Sequence, residues 1–65
     1  DKLDLSADEW VVYDLLREEI ELERREIDLE SGFGKSKTLR ILNSLVDKNV
    51  VQRLGRGVGV TYKLK

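Results

Sequence analysis

Between positions 34 and 47 the chain reads GKSKTLRILNSLVD, and its apolar positions recur with a helical period. Thr38, Ile41, Leu42 and Leu45 fall at i, i+3, i+4 and i+7, the stripe of a helix that buries about a third of its circumference. Rotating away from that stripe brings Lys35, Ser36, Lys37, Arg40 and Ser44 to the solvent side, with Asn43 on its flank. A second helical row, Val12, Leu15 and Leu16, lies upstream, with Trp10 and Tyr13 at its edge as rim-covering aromatics. Its start is marked by Ser6-Ala7-Asp8-Glu9. In this capping box the Ser6 hydroxyl accepts from the Glu9 amide and the Glu9 carboxylate accepts from the Ser6 amide. Leu5 and Trp10 stand at the two positions of a hydrophobic staple, and the pattern fades near Glu18 or Glu19.

The remaining periodic stretches are short. Ile20-Glu21-Leu22 alternates apolar and polar and predicts an edge strand that joins a sheet formed later in the chain. Glu23 then falls at the cap position of a helix over 24–31, a weak N-cap whose charge nonetheless suits a helix start. Ile27 is the expected core contact of that helix and Gly32 its left-handed stop, with Phe33 plugging the turn that follows. Beyond position 47, Asn49 suits a left-handed exit. Positions 50–54 and 58–64 are β-rich, with Val58, Val60, Tyr62 and Leu64 alternating. Gly55-Arg56-Gly57 makes the tip of the hairpin between them.

At 65 residues the chain has room for one domain, and a domain this small buries only about 60% of its unfolded surface. With no Cys and no His, disulfides, most transition-metal sites and thiol or imidazole catalysis are excluded. No apolar run reaches the roughly 20 residues that span a bilayer, so no membrane partner is expected and a cytoplasmic, nucleoid-associated location is. The first residue is Asp, which predicts a domain excised from a longer protein.

The net charge of −1 conceals a division that changes the picture. Residues 1–32 hold 12 acids and 4 bases, a net −8, whereas residues 33–65 hold 1 acid and 8 bases, a net +7. A folded domain built this way has a positive end, where an electrostatic footprint belongs. The Lys, Ser, Asn and Arg side chains of the 34–47 helix are donors of the kind that meet phosphate oxygens and purine edges. Positive charge in the first turn of a helix opposes its dipole, and a local disadvantage of that kind suggests a use outside the fold. The plainer reading, a solvated charged face, stands beside it.

Gly34-Lys35-Ser36 has the end of a phosphate-binding loop, but that motif needs a Gly five positions earlier, where Leu29 stands. No cofactor or metal is therefore expected. The carboxylates lie on helix faces without metal-ligand spacing, so catalysis has no support.

In order, the elements are helix, short strand, helix, turn, helix and a two-stranded hairpin, and that order resembles the winged helix-turn-helix domain from about Leu5 to Leu64. The run from Leu22-Glu23-Arg24 through Gly32-Phe33-Gly34-Lys35-Ser36-Lys37-Thr38 to Leu42 is similar to the helix-turn-helix of small MarR-type regulators, particularly archaeal ones. So is the exit Leu45-Val46-Asp47-Lys48-Asn49-Val50-Val51. Family members commonly carry Ser or Thr where Glu23 and Gly34 stand, and a small polar residue at Leu39. The resemblance implies an α+β fold, three helices packed on a small antiparallel hairpin wing with a short third edge strand. It also implies that Lys35, Ser36, Lys37, Arg40, Asn43 and Ser44 face the major groove of double-stranded DNA, with Arg56 and Arg53 on a wing over 53–60 that meets backbone or minor groove. The alternative is a protein-docking winged helix, which an exposed Leu39 would favour. Regulators of the MarR type dimerise through further helices, so this chain alone is expected to be monomeric.

Overall fold

The computed structural model describes residues 4–55, 57 and 59–65. Its elements are α1 (Ala7–Glu19), β1 (Glu21–Glu23), α2 (Arg24–Ser31), α3 (Lys35–Asp47), β2 (Val51–Leu54) and β3 (Thr61–Leu64). This is the α+β winged helix-turn-helix, three helices with a three-stranded antiparallel sheet of order β1-β3-β2.

Local chemistry sets the helix limits. The Ser6 hydroxyl accepts from the Glu9 amide at 3.2 Å, and the Ser6 amide donates to Glu9 Oε1 at 2.8 Å, so the capping box closes as expected. At α2 the amide of Glu23 donates to Glu26 Oε1 at 2.9 Å, so a carboxylate three residues on supports a start for which Glu is a weak cap. Gly32 ends α2 with φ 79°, and Asn49 turns the chain out of α3 with φ 63°.

Three strand limits differ from the sequence pattern. Ile20 lies outside β1, with φ 68° and ψ −59°, and its side chain is exposed. It is the residue at which the chain reverses from α1 into the sheet, a conformation strained for a β-branched side chain. Val50 and Val60 lie just outside β2 and β3, and both still pack against the core. The expectations for Val58 and Arg56 fall outside the described residues.

The register pairs Leu22 with Tyr62 across β1 and β3, and Val51 with Leu64 across β2 and β3. Leu22, Tyr62 and Val51 thereby meet the helices on one face, where Val12, Leu16, Ile27, Ile41, Leu42 and Leu45 complete the core. Each fully buried aliphatic side chain there is worth about 1.5–3 kcal/mol. Leu15 and Phe33 are half-buried against this cluster, and Trp10 meets Tyr13 edge-on with ring centroids 5.1 Å apart.

Thr38 belongs to the buried stripe of α3 but carries a hydroxyl. It is wholly buried, and its Oγ1 has no hydrogen-bond partner among the described residues. An unpaired buried hydroxyl costs about 1–3 kcal/mol. Thr38→Val keeps the shape and removes that penalty, so thermal unfolding should show a gain of about 1 kcal/mol, roughly 4–8 °C for a domain of this size. A lower melting temperature would mean that the hydroxyl finds a partner in solution.

Candidate nucleic-acid interface

The outward surface of α3 follows from what its other sides touch. Thr38, Ile41, Leu42 and Leu45 are buried, so the opposite side, Ser36, Arg40 and Asn43, is exposed, as is Lys35 on one flank. Gly34 caps the helix without a side-chain bond, and its first turn contains no acid. Lys35 and Lys37 thus sit at the positive end of the helix dipole with nothing in that turn to offset them. Among the described residues, Lys35, Arg40 and Arg53 take part in no ion pair. Arg53 is exposed on β2, opposite Tyr62 of β3.

Two side chains assigned to the outward face lean instead toward α1. Ser44 is half-buried and its hydroxyl donates to Glu9 Oε2 at 2.6 Å, which takes it out of the free donor set. Lys37 remains half-exposed, but its ammonium stands 3.2 Å from Asp8 Oδ2 and 4.4 Å above the centre of the Phe33 ring. Positions 37, 44 and 48 fall at i, i+7 and i+11, one line along α3, and the first turn of α1 lies against that line. Leu39 is half-buried, so it does not present the fully exposed apolar side chain that would mark a docking surface.

Glu9 is the centre of this contact. It is only 5% exposed, and its two oxygens accept from the Ser6 amide, the Ser44 hydroxyl and, at 2.9 Å, Lys48 Nζ. Lys48 Nζ also donates to the Asp4 carbonyl at 2.9 Å. The hydrogen bond from Ser44 is the largest influence holding the carboxyl at a pKa of about 2, followed by the Ser6 amide and assisted by Lys48, while burial acts in the other direction. Between the start of α1 and α3 an open cleft of about 340 Å³ is lined by Ser6, Asp8, Glu9, Lys37, Arg40, Ile41 and Ser44. Sequence reasoning recognised Glu9 as a cap and missed its tertiary role and that of Lys48. The line 37, 44, 48 is visible in the sequence, but what faces it is not.

Among the described residues no group of three or more His, Cys, Asp or Glu is placed to hold a metal ion, and no helix is long and apolar enough to cross a membrane.

A three-helix domain with a three-stranded antiparallel sheet and an exposed, basic third helix is a winged helix-turn-helix module. Residues 1–64 match the family of the sugar-specific transcriptional regulator TrmB, and the chain belongs to that family. Among solved structures it is similar to the oxidized form of MarR from E. coli, with a TM-score of 0.87 and 27% identity over 95% of this chain and 46% of that one. NadR in complex with 4-hydroxyphenylacetate shares the fold at a TM-score of 0.85 and 22% identity, again over 95% and 46% of the two chains. The Zalpha domain of Carassius auratus PKZ in complex with Z-DNA superposes at 0.82 and 27% identity, over 92% of this chain and 100% of that one. The chain therefore spans less than half the length of MarR and NadR. No curated protein matches it.

The Glu9 network makes acid stability testable. A carboxyl held at about 2 when folded, against an ordinary 4.5, adds stability that is complete above pH 4.5 and is lost as pH falls toward 2. Glu9→Gln removes the charge from three hydrogen bonds and should destabilise the domain at pH 7 by about 1–3 kcal/mol. In urea titrations at several pH values, the gap between wild type and variant should close from pH 4.5 downward. A gap that is constant down to pH 2 would show that Glu9 is not ionised in these bonds.

Proposed function

We propose that the domain docks on double-stranded DNA through the exposed side of α3, with Lys35, Ser36, Lys37, Arg40 and Asn43 entering the major groove. Arg53 and Arg56 would meet backbone or minor groove on the wing over 53–60. The observation that carries this reading is that Ser36, Arg40 and Asn43 are exposed together along one side of α3, with Lys35 and Lys37 beside its start and no acid in its first turn. The Zalpha neighbour supports it, since a winged helix matched over its whole length is there in complex with Z-DNA. A domain of this size is thus sufficient for nucleic-acid contact. Ser44, also expected on the groove-facing side, donates its hydroxyl to Glu9, which supports a part for it in orienting α3.

The proposed role is regulatory and non-enzymatic, in the cytoplasm and at the nucleoid. It belongs to a longer protein that supplies dimerisation, so that two modules share one operator; the isolated domain is monomeric. The charge division supports an oriented approach, with the +7 half turned toward the duplex and the −8 half away from it.

Binding of a mixed-sequence duplex, followed by amide shifts, should move Lys35 to Asn43 and the wing. If about six basic groups neutralise phosphates, log affinity should fall against log salt with a slope of roughly −5. The absence of any shift at low salt would refute DNA docking and favour a protein partner. Lys37→Ala with Arg40→Ala should weaken binding by at least about tenfold and flatten the slope by about two. Thermal stability should change by no more than about 1 kcal/mol, because the Lys37–Asp8 pair is half-exposed. Arg56→Ala should weaken binding less than the helix pair, and an equal or greater loss would make the wing the primary contact.

A further inference from the structure

Among the described residues of the proposed interface, Lys37 is the one cation that is already paired. Its ammonium is held between Asp8, in the first turn of α1, and the face of Phe33, in the turn before α3. Arg40 lines the same cleft and has no ion partner among the described residues. An incoming phosphate therefore meets a free guanidinium beside a neutralised lysine, with a carboxylate in front of it.

We infer that Asp8 is an internal competitor for DNA, a carboxylate that occupies Lys37 in the free domain and is exchanged for a backbone phosphate on binding. This rests on the DNA-docking reading above and adds a residue that lowers affinity. The geometry permits the exchange. Both partners are about half exposed, at 48% and 49%, so the pair is solvated and opens without unpacking the core. Phe33 stays behind Lys37 and limits how far the freed ammonium swings. The Asp8 side chain takes no part in the Ser6–Glu9 cap hydrogen bonds and adds to the start of α1 only its charge beside the helix dipole.

Two physical effects act in the same direction. Binding must break the ion pair, and Asp8 then faces a phosphate of its own sign. Both are strongest at low salt and fade as the Debye length shortens from about 10 Å at 0.1 M. Asp8 thus holds affinity down most where nonspecific electrostatic binding would be tightest.

The test is a double-mutant cycle on the 65-residue chain, read by fluorescence anisotropy with a mixed-sequence duplex at several salt concentrations. Asp8→Asn should tighten binding three- to tenfold at low salt, steepen the salt slope and leave the unfolding midpoint nearly unchanged. In the Lys37→Ala background the same change should give less than about twofold. Asp14→Asn, which removes an equal charge from an exposed position of the same helix, should give less than Asp8→Asn. Unchanged affinity in Asp8→Asn, or an equal gain without Lys37, or an equal gain from Asp14→Asn, would overturn the exchange while leaving DNA docking intact. A wild-type chain that binds no duplex at low salt would instead remove the docking reading, and the competitor with it.

Discussion

The buried carboxylate of Glu9 is the constraint on which the orientation of this domain depends. One side chain closes the cap of α1 and, 35 positions away in sequence, accepts the hydroxyl of Ser44 from α3. Lys48 reaches the same carboxylate from the last turn beyond α3 and ties in the Asp4 carbonyl. A charged acceptor with three donors is well compensated for its burial, whereas the same group with a donor missing would be costly. Because Lys48, the C-cap of α3, continues the line of Ser44, satisfying Glu9 favours one rotation of that helix about its own axis. The apolar stripe alone would tolerate a small roll. The polar contact selects the one that leaves Ser36, Arg40 and Asn43 outermost.

Charge in this chain is organised on two scales. Over the whole chain the acids concentrate in the first half, net −8, and the bases in the second, net +7. Locally the division is broken where the acids of the first turn of α1, Asp8 and Glu9, meet cations of α3 and its exit, Lys37 and Lys48. In one of these contacts, Lys48 with Glu9, the carboxylate is buried and the ammonium partly exposed. The other is half-exposed on the surface proposed to meet DNA, which makes it adjustable without cost to the core.

The chain belongs to the TrmB family and matches 46% of the MarR chain. Its small core gives little stability to spare, yet it carries an unpaired threonine hydroxyl in α3 and a strained isoleucine between α1 and β1. Ile20 turns the chain from α1 into β1, and Thr38 lies in the buried stripe of α3.

The amino-acid sequence by itself determined the helices, because the signals that start and stop them act within four residues. Ser6 with Glu9, Gly32 and Asn49 behave in the fold as their local chemistry dictates. It also determined the buried stripe of α3 and, through the order of elements, the winged-helix architecture. The strand limits were less legible, since three- and four-residue strands are defined by their partners, and Ile20 had to leave the pattern to turn the corner. What only the tertiary structure decided was which polar side chains of α3 are free. Helical periodicity places Lys37 and Ser44 with Arg40, but it contains no information about a second helix crossing nearby. The first turn of α1 engages Lys37 and Ser44 through contacts spanning 29 and 35 positions, and separations of that length are set by packing rather than by local pattern.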